Sequence, residues 1–90
     1  MTNLHKIRQE IIDRNYYLSS HAEEEMLNDG LDRKDVKNAI LKGWIEKKMP
    51  RDIRGTRYRL ECPAMNGRLI YVLCRFRKDT NLVIITVYAL

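Results

Sequence analysis

Arg68-Leu69-Ile70-Tyr71-Val72-Leu73-Cys74-Arg75-Phe76-Arg77 decides how this chain folds. Side chains alternate sides along a strand. The even positions Ile70, Val72, Cys74 and Phe76 therefore make an apolar face, while the odd positions include Tyr71, Arg75 and Arg77. Just upstream, Thr56 to Cys62 (TRYRLEC) reads as a second strand with Arg57, Arg59 and Glu61 at its odd positions, closed by Pro63 and an Asn66-Gly67 turn. Downstream, Leu82 to Tyr88 (LVIITVY) reads as a third, with Tyr88 on the side of Thr86 and Ile84. One oily face and one face of guanidinium groups predict a sheet surface that meets phosphate.

Working back toward the N-terminus, Trp44 to Met49 completes a set of four strands. Their links, Pro50 to Gly55, Asn66-Gly67 and Asp79-Thr80-Asn81, are short enough to imply an antiparallel meander. The first half is helical. Leu4, Ile7, Ile11 and Ile12 recur at helical spacing from Thr2 to Asn15. Tyr16-Tyr17-Leu18 is a short extended link. Ser20 with Glu23 three residues on fits a capping box that opens a helix over 20–28, with Ala22, Met26 and Leu27 inward. Asp32 caps a third helix, Arg33 to Lys42, where Leu31 and Val36 are placed for a hydrophobic staple and Gly43 for a C-terminal cap. The expected fold class is α+β, N-terminal helices packed on a four-stranded antiparallel meander sheet, as one domain over residues 1–90.

Ninety residues suffice for one core. An apolar share of 44% and a charged share of 32% are ordinary for a globular chain. No apolar run approaches the roughly 20 residues of a membrane helix, and residues 1–15 carry charge throughout, so the expectation is a cytoplasmic protein without a membrane partner. Cys62 and Cys74 fall on the predicted apolar face without a CxxC or histidine pair, the pattern of buried free thiols. The formal charge of +5 favours an anionic partner, nucleic acid or an acidic protein.

Among candidate chemical residues, His21 stands near a helix start, where the dipole favours a neutral imidazole able to accept a proton, with Glu25 one turn on. His21, Glu24 and Glu25 make an incomplete ligand set, and His5 lies on another helix, so no metal site is expected. Lys48, Arg57, Arg59, Arg75 and Arg77 fall on strands that a meander sets side by side, and arginine forks suit phosphate oxygens. Tyr71 and Tyr88 add rings for base stacking or a phenol for proton transfer. The same face also suits a solvated surface on which arginines cover Leu69 and Leu73.

Leu18-Ser19-Ser20-His21-Ala22, Glu25-Met26, Asp35-Val36, Ala39-Ile40 and Gly43, followed by Arg54-Gly55, Arg57-Tyr58, Gly67-Arg68-Leu69 and Ile85-Thr86-Val87-Tyr88, resemble in order and spacing the small proteins grouped as domain of unknown function 4258. That family in turn looks like a branch of the RelE-like ribonuclease toxins. Its members often resemble MqsR-type toxins in being encoded beside a zinc-finger antitoxin. The resemblance implies the toxin of a type II toxin–antitoxin pair, a metal-independent and cofactor-free endoribonuclease acting on messenger RNA. Arg75, Arg57 and Lys48 would hold the phosphate, and His21 or Tyr88 would move protons; from the basic face itself, Arg59, Arg77 and Tyr71 join Lys48 as RNA-binding candidates. Its partners would be RNA and a cognate antitoxin. The chain departs from many relatives in carrying Glu25 where they place arginine, and in lacking an arginine beside Asp29-Gly30. The alternative is a non-catalytic RNA-binding or protein-interaction domain using the same basic sheet face.

Overall fold

The computed structural model describes residues 2–50, 53, 55–64, 67–77 and 81–90. Three helices come first, interrupted by a short strand: α1 (Asn3–Ile12), β1 (Tyr16–Leu18), α2 (Ser20–Asn28) and α3 (Arg33–Lys42). Four strands follow: β2 (Trp44–Met49), β3 (Arg57–Pro63), β4 (Leu69–Arg77) and β5 (Asn81–Ala89). The expected turns include Asn66, Asp79 and Thr80, and the β2–β3 link includes Arg51, Asp52 and Arg54; these lie outside the described residues.

The fold is α+β, but the sheet has five strands, not four, and is mixed, not wholly antiparallel. Its order is β1-β5-β4-β3-β2. Tyr16-Tyr17-Leu18, read from sequence as a link, pairs in parallel with Leu82, Val83 and Ile84. Three residues carry too little alternation to announce a strand. What recruits them is the open edge of β5: Leu82 N–H donates to Asn15 O, and Ser19 N–H to Ile84 O, each at 3.0 Å.

Each helix has a local cause. The Thr2 side chain accepts the His5 amide and starts α1. That helix stops at Ile12, short of the expected Asn15, because Arg14 turns left-handed at φ 62°. The Arg14 and Asn15 amides then fold back onto the carbonyls of Ile11 and Glu10. Ile12 is left 55% exposed. In α2 the cap is Ser19, not Ser20, and its Oγ both accepts from Ala22 N and donates to Ile85 O at 2.7 Å. The serine that also reaches the sheet wins the position. Gly30, at φ 69°, ends α2: its amide reaches Leu27 O and that of Leu31 reaches Met26 O, a paired closure that favours glycine. Leu27, expected inward, is 81% exposed. Asp32 caps α3 and is answered by Asp35, a reciprocal capping box.

All three helices cover one sheet face. Ile7, Ile11, Ala22, Met26, Val36, Ala39 and Ile40 meet Leu60, Cys62, Ile70, Val72, Cys74, Leu82, Ile84 and Val87 in one cluster, with Phe76 packed at its margin. The thiols of Cys62 and Cys74 are free and buried. No described helix is long and apolar enough to cross a membrane.

Candidate nucleic-acid interface

The uncovered face of the sheet is built by register. Directly opposed residues in an antiparallel pair share a face. The β3–β4 register sets Arg57 against Arg75, Arg59 against Leu73 and Glu61 against Tyr71, all pointing away from the helices, since the alternate residues Tyr58, Leu60, Cys62, Ile70, Val72 and Cys74 are buried beneath them. Arg57 and Arg75 thus stand directly across from one another, an arrangement of like charges that destabilises a bare sheet.

Two one-residue bulges change the assignment at the flanks. Between Ile45 and Lys47 the β2–β3 register shifts, leaving Glu46 as the extra residue. Lys47 then faces Arg59, and Lys48 faces the buried Tyr58. The expectation that Lys48 joins the arginine face is therefore corrected: it lies on the helix side, and Lys47 takes its place. The β4–β5 register shifts at Ile85, so Tyr88 and Thr86 face outward while Ile84 faces inward opposite Cys74. Simple alternation had grouped Ile84 with Tyr88. Nothing local in WIEKKM or LVIITVY marks either bulge.

The outer face divides into two groups. In the first, Arg59 Nε donates to Glu46 Oε2 at 2.6 Å, and its guanidinium lies 4.6 Å from the centre of the Tyr71 ring. Tyr71 and Tyr88, opposed across β4–β5, meet edge to face at 5.4 Å. The bond to Glu46 raises the Arg59 pKa, with the Tyr88 hydroxyl adding to the effect against some burial. The same bond, with help from Lys47, lowers that of Glu46. In the second group are Arg57 and Arg75, and beyond them Arg77, which bonds the Tyr17 hydroxyl and lies 5.8 Å from the centre of its ring. Arg75 sits two alternate positions from Tyr71, about 13 Å along the strand. Arg75 and Tyr88 therefore belong to different groups, and Arg59 is the arginine beside Tyr88.

His21 is the second residue of α2 and largely exposed, its Nε2 2.7 Å from Glu25 Oε1. Two bonds fix α2 against β5: Ser19 Oγ to Ile85 O at its start, and Ala89 N–H to Asp29 Oδ2 at its end. His21, Glu25 and Asp29 are spaced one turn apart along α2 and its C-cap, and Asp29 is the one that bonds β5. No described contact joins His21 to Tyr88. The sequence reading gave no functional role to Trp44, Glu46, Lys47 or Glu61; Trp44 pairs with Glu61, and its indole N–H donates to Glu61 Oε2 at 3.1 Å.

Among the described residues no three His, Cys, Asp or Glu side chains gather as a metal-ligand group. A cleft of about 580 Å³ lies on the helix side under α1, lined by Lys6, Glu10, Tyr58 and Phe76 among others. It opens on the opposite face of β3 and β4 from the arginines, and its mixed lining singles out no chemistry.

No curated protein and no solved structure matches the chain. The model of one family, a domain of unknown function, matches residues 18–89, from the last residue of β1 to the end of β5. The chain belongs to that family, domain of unknown function 4258.

Proposed function

We propose that this chain is an RNA-cleaving toxin of a type II toxin–antitoxin pair, a metal-independent endoribonuclease acting on messenger RNA in the cytoplasm. The observation that carries the reading is the outer sheet face, where Arg57 opposes Arg75 and Arg59 lies against Tyr71 beside Tyr88. Two guanidiniums held opposite one another concentrate positive charge on one stretch of the face. A phosphodiester chain supplies anions at regular intervals, and planar guanidinium forks bind them two-point.

In this reading the scissile phosphate sits at Arg59 and Tyr88, and a neighbouring phosphate at Arg57 and Arg75. The ribose 2′-oxygen attacks phosphorus, and the bond from phosphorus to the 5′-oxygen breaks. The products are a 2′,3′-cyclic phosphate and a 5′-hydroxyl. His21, oriented by Glu25, takes the 2′-hydroxyl proton, and Tyr88 gives its phenolic proton to the departing 5′-oxygen. Arg59 offsets the charge that builds on the phosphoryl oxygens. A cognate antitoxin with an acidic segment, of the zinc-finger kind that the family resemblance implies, neutralises the toxin by covering the same face; the net charge of +5 steers that encounter.

Tyr88→Phe should cut cleavage of a messenger fragment about 10²-fold, the scale of losing a general acid, while binding of a 2′-O-methyl analogue survives. His21→Ala should cut it by a similar factor; full activity would leave His21 as a neighbour of the helix cap and nothing more. The bond that holds Arg59 on Glu46 favours a second reading, a non-catalytic RNA-binding module. RNA that is bound with a steep salt dependence but never cleaved, and a chain whose induction leaves bacterial growth unchanged, would establish that reading instead.

A further inference from the structure

We infer that Trp44 and Glu61 form a guanine-binding subsite for single-stranded RNA at one end of the outer sheet face. The inference rests on the RNA-binding reading above and names the base that this face selects.

The register lines up Trp44, Glu61, Tyr71 and Tyr88 as one row across β2, β3, β4 and β5. The next row holds Lys47 and Arg59, and the one after it Arg57 and Arg75. Adjacent rows lie two residues apart, about 7 Å. That is close enough for one nucleotide to set its base on the aromatic row while its phosphate meets the cations.

Within the aromatic row the rings are not equivalent. Tyr71 is covered by the Arg59 guanidinium on its face and met by Tyr88 edge to face. Trp44 is 45% exposed, and its indole N–H is already tied to Glu61, so the ring is held in place with apolar surface to offer. Base-on-indole stacking follows from such a ring and accepts any base.

Glu61 supplies the discrimination. The other carboxylate of this face, Glu46, is bound by Arg59. Glu61 instead accepts one neutral N–H through Oε2, which leaves the side chain with acceptor capacity to spare. A free carboxylate repels phosphate, so this end of the face takes a base. Guanine alone among the four bases presents two N–H donors side by side on its Watson–Crick edge, N1–H and N2–H, which match two carboxylate oxygens. Adenine presents an acceptor at N1 and meets the same carboxylate with repulsion.

Trp44 is the only tryptophan of the chain, so its fluorescence reports the subsite directly. The test is a titration with 2′-O-methyl pentanucleotides, which cannot undergo 2′-hydroxyl attack, carrying guanine, inosine or adenine between uridines. Quenching should accompany binding, with the guanine oligomer held about 10-fold or more tighter than the adenine one, the scale of one bidentate base contact. Inosine, which keeps N1–H and lacks the N2 amino group, should fall between. Glu61→Gln should bring the guanine-to-adenine ratio close to one; the ratio is the measure because removing a carboxylate raises affinity for every RNA. Equal affinities in the unaltered chain, or a guanine preference that survives Glu61→Gln, would overturn the subsite. Should Glu61→Gln fail to fold, the three-base comparison on the unaltered chain decides alone. Binding with a normal salt slope but no base preference would sink this inference and leave the RNA-binding reading standing. No binding of any oligomer would sink both.

Discussion

At Gly43 the backbone is extended (φ −86°, ψ 176°), open to any residue, yet an added methyl would stand 2.6 Å from Cys62 Sγ and 3.0 Å from Glu61 O. The glycine is required because α3 hands over to β2 against the backbone of β3, and Arg8 locks the junction by donating to Gly43 O at 2.9 Å. Gly43→Ala should lower stability by about 1–3 kcal/mol, the range for overpacking, read as a drop in the urea midpoint. Adding Cys62→Ala should recover part of the loss, since the sulfur goes and the Glu61 carbonyl stays. The sequence marked Gly43 as a helix end, which it is, but the reason is a contact 19 positions away that no local pattern carries. Glu46 offers a second residue-scale test. Its carboxyl is held below the ordinary value of 4.5 by the Arg59 bond, so the folded state binds this proton less readily than the unfolded chain. The stabilisation is therefore complete above about pH 4.5 and drains away as the pH falls through the lowered value. Glu46→Gln should flatten that limb of the stability-against-pH curve; an unchanged acid limb would show that the pair contributes nothing in solution.

At the scale of the element, the helices and central strands were legible because their periodicities are long and clean. RLIYVLCRFR keeps Ile70, Val72, Cys74 and Phe76 in one phase, and β4 pairs on both sides with these even residues inward. The flanking strands were legible as strands but not as faces, because a bulge shifts the phase by one residue and leaves composition untouched. Lys48 and Ile84 were misplaced for that one reason. The candidate site was legible in its arginines and tyrosines and not in how they group, which depends on which strand lies beside which. The opposition of Arg57 and Arg75 carries its own prediction. Arg75→Thr keeps a strand-favouring residue and removes a like-charge neighbour, so it should stabilise the RNA-free protein by about 0.2–1 kcal/mol, more at low salt than at high. The same change should weaken RNA binding and shallow its salt slope by about one ion. A variant that loses stability would show that the two guanidiniums support each other through shared partners.

On the scale of the whole molecule, the β1–β5 pairing was beyond reach from sequence, since Tyr16-Tyr17-Leu18 becomes a strand only when Leu82 to Ile84 lie beside it. The two ends of that pairing are 66 positions apart, whereas β3, β4 and β5 join through neighbouring segments. Closing so long a loop costs chain entropy before any contact repays it, so local hairpins form earlier and the distant pairing later. Hydrogen exchange in the native protein should show this as unequal protection. The Leu82 amide, bonded to Asn15 O, and the Ser19 amide, bonded to Ile84 O, should exchange sooner than the amides of Val72 and Cys74 in the middle of β4. Uniform protection would mean that the sheet opens only as a whole. Time thus enters the architecture at one three-residue strand: β5 must be in place before β1 has anywhere to dock, and α1, tethered to β1 through Arg14, waits on the same event.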